Sequence, residues 1–368
     1  MSNMTEVAEE IEMAGTVEDM IKFPSIEQFS TVIKNIHHKT RYLGKNEDGT
    51  GIYDAALPLP TLRYRGTVKL HGTHADIVLN VKTDVVHYQS RNKCITVEND
   101  NHGFAAFIQQ RQCSKLFDEI RKINTNSYDG IMISGEFCGG NIQSGVALSQ
   151  LPKMFVIYSI KFTGEKSYYA DIMDYKNIHD NESGIYNICQ FPIYEVDINF
   201  EQPKLIQPEL IRLTLEVEKK CPVGAFFGIH GVGEGVVWNC IDGDYNGYDK
   251  FSFKVKGDQH SATKVKKMAN INIEKVNSIT EFVDATVTAS RLHQGVEYLK
   301  ELGIVQTEFK IASDSTPLPL GSFIKWVIND IMKEDHAMLA KSKLKPADVS
   351  KEIASKAKSW YLNFIQKN

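Results

Sequence analysis

A lysine followed closely by a histidine and a glycine is the first candidate for chemistry in this chain. Lys69 ends a strand-like run, and the polar segment His71–His74 separates it from the next such run. A strand end is a rigid place from which to present a nucleophile beside a flexible glycine. The KxxG pattern alone is weak evidence, because it occurs four times in the chain. The two flanking strand-like runs distinguish Lys69 from the other three.

Four further motifs follow this lysine in order. Arg91 lies in SRNK, Glu136 in SGEFCGGN, Glu234 in GEGVVW, and Lys254 and Lys256 in FSFKVKG. The two-residue period of a strand points the last two lysines at one face, where they repel unless an anion lies between them. An exposed edge strand that uses lysine against aggregation is an alternative explanation of that pair.

This ordered set resembles the covalent nucleotidyltransferases, the superfamily of nucleic-acid ligases and mRNA capping enzymes. Within it, KLHGTH, GEFCGGNIQ, EGVVWN and FSFKVK resemble the motifs of ATP-dependent RNA ligases of the phage RNA-ligase-2 type. The spacings fit as well: 67 residues from Lys69 to Glu136, 98 from there to Glu234, and 20 more to Lys254. His71 stands where DNA ligases and capping enzymes usually carry aspartate.

The resemblance implies that Lys69 attacks the α-phosphorus of ATP and carries AMP. A free lysine titrates at about 10.4, and nearby cations and partial burial lower that pKa. Lys254, Lys256 and a bound Mg²⁺ or Mn²⁺ would supply the cationic field and neutralise phosphate charge in the transition state. We therefore expect Lys69, Glu234, Lys254 and Lys256 to be catalytic, with Glu234 as the metal-binding residue.

The nucleotide-binding set implied by the resemblance is larger. Glu136 would hydrogen-bond the ribose hydroxyls, and Arg91 would contact the nucleotide or the RNA end. Phe155 is the best match for the aromatic residue that stacks on adenine and Tyr158 is the alternative, although a phenylalanine in an apolar strand is also typical of a core. The complete expected set is Val68, Leu70, His71, Gly72, Arg91, Glu136, Phe155, Glu234, Lys254 and Lys256.

Two positions depart from the family's pattern. His74 stands where the family more often has asparagine, and Asn239 stands where a basic residue is common. Each departure removes a contact that the resemblance would otherwise imply for the nucleotide region.

Hydrophobic periodicity predicts an α+β fold, with a mostly antiparallel domain followed by an all-helical C-terminal domain. The resemblance implies that the first is an antiparallel-sheet adenylyltransferase domain. Residues 1–21 form an acidic extension, 22–265 the adenylyltransferase domain and 266–368 the helical, RNA-binding domain. The segment 44–60 reads as a loop and 104–123 as one helix. The predicted strands are 62–70, 75–81, 85–89, 130–137, 154–162, 235–239 and 251–256.

The charge of the chain is unevenly distributed. Its 368 residues are 42% hydrophobic and 24% charged, which argues against collagen, coiled coils and wholesale disorder, and the formal net charge is −4. From Lys250 to Asn368, however, 19 Lys and Arg face 13 Asp and Glu. Lysines of this kind neutralise backbone phosphates, so we expect the basic last third to grip RNA. The lysines concerned are Lys264, Lys266, Lys267, Lys341, Lys343, Lys345, Lys351, Lys356 and Lys358.

Cysteine usage and the N-terminus predict the compartment. The six cysteines are irregularly spaced without a CxxC pair, as expected of reduced thiols rather than a zinc site. The N-terminal residues lack the basic and apolar regions of a signal peptide. We expect a cytoplasmic monomer without a membrane partner.

The function expected from these features is ATP-dependent joining of RNA 3′-hydroxyl and 5′-phosphate ends in RNA repair, with a nicked duplex as one candidate substrate. It would run through lysyl-AMP and an adenylylated RNA 5′ end. The alternatives are a DNA ligase or capping guanylyltransferase, and a non-catalytic nucleic-acid-binding protein. A Schiff-base lysine enzyme is not favoured, because no alternating βα pattern supports a barrel.

Overall fold

The computed structural model describes residues 20–246, 250–257, 259–260, 279–302, 304, 319–342 and 344–367. The chain divides into two compact units, Met1–Val255 and Lys256–Asn368. The domain boundaries expected from the sequence remain predictions, and residues 1–19 of the acidic extension lie outside the described part of the chain.

The first unit opens with an amphipathic helix and a small ribbon. Helix α1 (Phe29–Arg41) buries Val32 and Ile36, which are four residues apart and therefore share one helix face. Strands β1 (Tyr42–Lys45) and β2 (Gly51–Tyr53) then pair antiparallel. The ribbon lies within the segment expected to be a loop, so that expectation was only partly right.

A four-stranded sheet has the strand order β11-β3-β12-β13. Its central strand, β3, pairs antiparallel with β11 and β12. Tyr64, Trp238 and Phe253 are fully buried in its core. Gly66 lies under Trp238, where an added Cβ would come within 2.7 Å of the indole ring, so this strand position requires glycine. The strands are β3 (Thr61–Lys69), β11 (Ile193–Asn199), β12 (Gly235–Cys240) and β13 (Phe253–Lys256).

A seven-stranded sheet has the order β10-β8-β7-β4-β5-β6, with β9 on β8. Among the described strands its pairings are antiparallel except that between β10 and β8. Chain order and sheet architecture therefore confirm the predicted antiparallel α+β class. The strands are β4 (Thr73–Asn80), β5 (Val85–Ser90), β6 (Cys94–Ile95), β7 (Gly130–Cys138), β8 (Met154–Thr163), β9 (Tyr168–Tyr169) and β10 (Ile185–Asn187).

Short helices complete the first unit. The helix expected over residues 104–123 is two helices, α2 (Phe104–Gln109) and α3 (Ser114–Ile123), because a polar turn at Arg111 interrupts it. Phe104 packs against Phe137 on the seven-stranded sheet, with ring centroids 5.3 Å apart. Helices α4 (Gln207–Lys219) and α5 (Pro222–Phe226) precede β12.

The described part of the second unit is helical, as predicted. Its apolar core includes Phe282, Val296, Phe323 and Ile353. None of the helices described in the chain combines the length and apolar character needed to cross a membrane. The helices are α6 (Ile279–Thr286), α7 (Ala289–Glu301), α8 (Leu320–Glu334), α9 (His336–Ser342) and α10 (Pro346–Lys367).

A buried arginine joins three of these elements. Arg291, on α7, is fully buried, and its Nε donates to Asp330 Oδ2 at 2.7 Å. Its Nη2 donates to Asp335 Oδ2 at 2.8 Å, and Nη1 donates to the carbonyl of Thr286. A guanidinium removed from water needs such partners, because an unpaired buried charge is costly.

Replacing this arginine should destabilise the protein strongly. Arg291→Met should lower the free energy of unfolding by about 3–5 kcal/mol, because two carboxylates lose their cation in a poorly hydrated site. Urea denaturation followed by circular dichroism measures the change. The control is Lys356→Ala, whose partner Asp284 is 64% exposed and whose loss should cost less than about 1 kcal/mol. Equal effects of the two substitutions would contradict this account.

Candidate active site

The turn Leu70–Gly72 carries the chain from one sheet into the other. Lys69 is the last residue of β3, and Gly235, the first residue of β12, lies opposite it. The residue before β12, Glu234, is therefore held beside Lys69. On the other sheet, His74 of β4 lies opposite Glu136 of β7. Each sheet thus contributes one carboxylate to the surroundings of the turn.

Glu234 holds two basic side chains of the turn. The Lys69 Nζ donates to Glu234 Oε2 at 2.9 Å, and His71 Nδ1 lies 3.1 Å from the same oxygen. The Glu234 side chain is only 2% exposed, whereas that of Lys69 is 20% exposed. A buried carboxylate that accepts a hydrogen bond from an ammonium group is a strong geometric restraint. It fixes the amine of Lys69 at an edge that remains accessible to a ligand.

Glu136 fixes the backbone of the same turn. Its Oε1 accepts the backbone N–H of Gly72 at 3.0 Å. A Cβ at Gly72 would lie 2.3 Å from the carbonyl oxygen of Phe137, so only glycine allows this close approach. Desolvation raises the pKa of Glu136, and the charge of Glu234 adds to that rise, while Lys69 and His74 oppose it.

A cavity of about 270 Å³ opens beside these residues. Three cationic side chains, Lys69, Arg91 and Lys254, line it together with apolar residues and two aromatic rings. Such a combination suits a ligand with an apolar planar part and an anionic part. Of the residues expected from the sequence, Val68, Lys69, Leu70, Arg91, Glu136 and Lys254 line this cavity.

The structure places only one of the two lysines of β13 at the cavity. Lys254 lines the cavity, and its backbone N–H donates to the carbonyl of Glu27 at 3.1 Å, which holds this end of the strand in place. Lys256 ends β13 and is the first residue of the second unit. Its role at the site stays a prediction.

The expectation that Phe155 stacks on adenine was wrong. Phe155 is fully buried and packs on Phe104 of α2, with ring centroids 5.0 Å apart. It lies opposite Phe137, whereas the neighbouring pair of Glu136 and Val156 points to the other face of the sheet. The alternative, Tyr158, lines the cavity.

The N-terminal segment supplies cavity residues that the sequence did not indicate. Phe23 and Ile26 line the cavity, and Arg91 donates to the carbonyl of Pro24 at 3.1 Å and to Ser25 Oγ at 3.2 Å. The guanidinium of Arg91 therefore contacts protein in this structure while it also borders the cavity. In the sequence, the only hint of a role for Phe23 is that it is the single aromatic residue of the segment 22–25, KFPS. Thr67, Ile188 and Val237 also line the cavity and carried no signal.

A sequence model of the RNA ligase family matches residues 63–256. This range is more than half of the chain and contains Lys69, Glu136, Glu234 and Lys254. The chain belongs to the RNA ligase family. No curated protein matched the sequence of this RNA ligase family member.

Several solved structures are similar to this member of the family. A Naegleria gruberi RNA ligase mutant with ATP and Mn is 17% identical, with a TM-score of 0.40, 66% of this chain covered and 57% of that one. Another such mutant with ATP and Mn is 16% identical, with a TM-score of 0.42 and coverages of 67% and 58%. The Naegleria gruberi RNA ligase with PPi is 15% identical, with a TM-score of 0.40 and coverages of 70% and 59%. The chain therefore spans less than two thirds of each of these ligases.

The raised pKa of Glu136 predicts a specific pH dependence. In the folded state this carboxyl keeps its proton to higher pH than in the unfolded state, so the free energy of unfolding falls as pH rises through the ordinary glutamate pKa toward the raised one. Glu136→Gln removes this loss, and its amide oxygen still accepts the N–H of Gly72. Urea denaturation of both proteins between pH 4 and pH 8 should show the wild type losing stability relative to the variant. Parallel curves would contradict the assignment.

Proposed function

We propose that this member of the RNA ligase family joins RNA 3′-hydroxyl and 5′-phosphate ends with ATP, through a lysyl-AMP intermediate on Lys69. The observation that carries the proposal is the amine of Lys69, held 2.9 Å from Glu234 at a cavity that Lys254 and Glu136 also line. The family match covers all four of these residues.

The chemistry follows from an amine beside an anion-binding cavity. The Lys69 nitrogen bonds to the α-phosphorus of ATP while the bond to the β-phosphate oxygen breaks and pyrophosphate leaves. A 5′-phosphate oxygen of RNA then attacks that phosphorus, the phosphorus–nitrogen bond breaks, and Lys69 regains a proton. Finally, the 3′-hydroxyl of the other end attacks the activated 5′-phosphorus and AMP leaves.

Lys69 must be neutral when it attacks. The positive charge of Lys254 in the same cavity favours the neutral amine, whereas the carboxylate of Glu234 favours the ammonium. A divalent cation, Mg²⁺ or Mn²⁺, would neutralise both this carboxylate and the phosphate charge when bound. His71, which shares the oxygen of Glu234, would keep the carboxylate in place during the exchange of partners.

The donor set fits a metal that arrives with the nucleotide. Within the described ranges, no group of three or more His, Cys, Asp or Glu residues could hold a metal ion. Glu234 offers one hard carboxylate, and Mg²⁺ is commonly bound by one or two carboxylates together with substrate phosphates. We therefore assign Glu234 as the protein ligand.

The cavity suits the other parts of ATP. Tyr158 offers a ring for stacking on the purine, and Glu136 an acceptor for ribose hydroxyls. Lys254 and Arg91 offer cations for phosphate oxygens, and Lys256 would join them on β13. Apolar residues such as Val68, Leu70 and Ile188 also line the cavity, as is usual for a cofactor site.

The second unit offers exposed lysines for RNA. Lys351 and Lys358 lie seven residues apart on α10, so they share an exposed helix face. Lys356 instead pairs with Asp284 at 2.7 Å. Lys345 is exposed just before this helix. The side chain of Lys341 lies outside the described part of the chain, as do Lys264, Lys266, Lys267 and Lys343.

We further propose that the RNA is broken RNA under repair and that the protein acts as a cytoplasmic monomer. Its six cysteines are free, as expected in a reducing compartment.

Labelling with nucleotide tests the proposed reaction. Incubation with α-labelled ATP and Mg²⁺ should label the wild type covalently, and Lys69→Ala should abolish the label because it removes the amine that Glu234 holds at the cavity. The control is Lys82→Ala, an exposed lysine outside the cavity, which should retain the label. Label from GTP alone would favour a capping guanylyltransferase, and labelling without RNA sealing but with DNA sealing would favour a DNA ligase. No label from either nucleotide would leave a non-catalytic binding protein.

Charge reversal on α10 tests the RNA contact. Lys351→Glu with Lys358→Glu should weaken RNA binding about tenfold at 0.1 M salt and flatten the salt dependence, because phosphate contacts release counterions. Lys69–AMP formation should be unchanged. The control reverses the exposed Lys82 and Lys166 of the first unit. Equal loss of RNA binding and of autoadenylylation in the α10 variant, or equal RNA affinity in both double variants, would contradict the assignment.

A further inference from the structure

A buried carboxylate that the proposed reaction does not use lies close to the cavity. Asp76 on β4 is fully buried, and its Oδ2 accepts from Gln89 Nε2 at 2.8 Å. The same oxygen lies 2.9 Å from His74 Nε2. His74 and Asp76 are two residues apart on the strand, so their side chains share one face of the sheet. A buried carboxylate with two such partners holds them in fixed positions.

The carboxylate determines the tautomer of the histidine. A carboxylate only accepts hydrogen bonds, so Nε2 of His74 must carry the proton. In the neutral imidazole, Nδ1 is then an acceptor, and this atom contacts the hydroxyl of Tyr158. When His74 is neutral, the Tyr158 hydroxyl donates to this atom, and Tyr158 lines the cavity.

The same carboxylate also reaches the N-terminal segment. The Gln89 side chain that donates to Asp76 also donates to the carbonyl of Ile21 and accepts the Ile21 N–H at 3.1 Å. Two residues later, Phe23 packs its ring on Tyr158, with centroids 5.6 Å apart and nearly perpendicular planes. Asp76 is thus connected to Tyr158 by two routes, through a hydrogen bond and through an aromatic contact.

We propose that Asp76 and His74 are positioning residues that hold the Tyr158 ring in the orientation needed to bind the base of the nucleotide. Asp76 acts by fixing the His74 tautomer, and His74 acts by accepting a hydrogen bond from the Tyr158 hydroxyl. The proposal deepens the proposed function and rests on it for the identity of the ligand. It also gives a role to His74 at a position where the family more often has asparagine.

Neighbouring charges surround this chain of contacts. Glu136 on β7 lies opposite His74 in the sheet register. Lys161 on β8 interacts electrostatically with Asp76. The test is therefore made at one fixed pH, where these groups are the same in every variant.

Kinetics of Lys69–AMP formation test the proposal in the full-length protein. Tyr158→Phe keeps the ring and removes its hydroxyl, and Asp76→Asn replaces a carboxylate that can only accept hydrogen bonds with an amide that can also donate to His74 Nε2. Each should raise the ATP concentration at half-maximal rate about fivefold, the effect of one hydrogen bond, and change the maximal rate less than about twofold. The double variant should also lose only about fivefold, because both changes break one chain of contacts.

The controls are matched in chemistry. Tyr186→Phe changes a half-buried tyrosine on β10, and Asp197→Asn an exposed aspartate on β11. Both should behave as the wild type. Additive effects of about 25-fold in the double variant of Tyr158 and Asp76, or a Tyr158→Phe variant with unchanged half-saturation, would overturn the proposal.

The ¹⁵N spectrum of the His74 imidazole gives an independent result. The wild type should show the Nε2–H tautomer, Tyr158→Phe should retain it, and Asp76→Asn should lose it. The Nδ1–H tautomer in the wild type would overturn the proposal, and this outcome is decisive even if Asp76→Asn fails to fold. A wild type that forms no adduct with ATP defeats the proposed function, whereas adduct formation with unaffected variants defeats only the role of Asp76 and His74.

Discussion

The hydrogen bond between Lys69 and Glu234 is the interaction on which the site depends. It exists because β3 and β12 are antiparallel neighbours whose register places Gly235 opposite Lys69. A shift of one residue would turn every side chain of the strand to the other face and separate amine from carboxylate. The buried core of Trp238 and Tyr64 under these strands opposes such a shift. Packing far from the reacting atoms therefore fixes the geometry of the nucleophile.

A second restraint comes from the other sheet. Glu136 accepts a hydrogen bond from the N–H of Gly72. The turn after Lys69 is therefore held both through a side chain, by the contact of His71 with Glu234, and through its backbone. The desolvation that this contact requires is visible in the raised pKa of the carboxyl. Holding this carboxyl group out of water lowers the free energy of unfolding when the group is charged. Such desolvation is common where residues bind a ligand.

The structure brings together polar residues that the sequence motifs single out. Lys69, Glu136 and Glu234 are each close to a glycine at the end of a strand, where polarity and flexibility interrupt an apolar pattern. The apolar part was less predictable. Phe155 and Tyr158 lie on one strand, and its pairing with β7 is irregular between Ser134 and Gly135. Glu136, which lines the cavity, pairs with Val156, so Phe155 points to the other face of the sheet while Tyr158 lines the cavity, and this register is set by long-range pairing that no local pattern reveals. Phe23 and Ile188 reach the cavity only through long-range folding, for which spacing gives no signal.

The central claim is that one lysine accepts AMP. Mass-spectrometric mapping of peptides after incubation with ATP and Mg²⁺ tests it most directly. The account predicts AMP on the peptide that contains Lys69, with fragment ions that place it on this side chain. AMP on another residue, or an unmodified protein that nevertheless seals RNA, would contradict it.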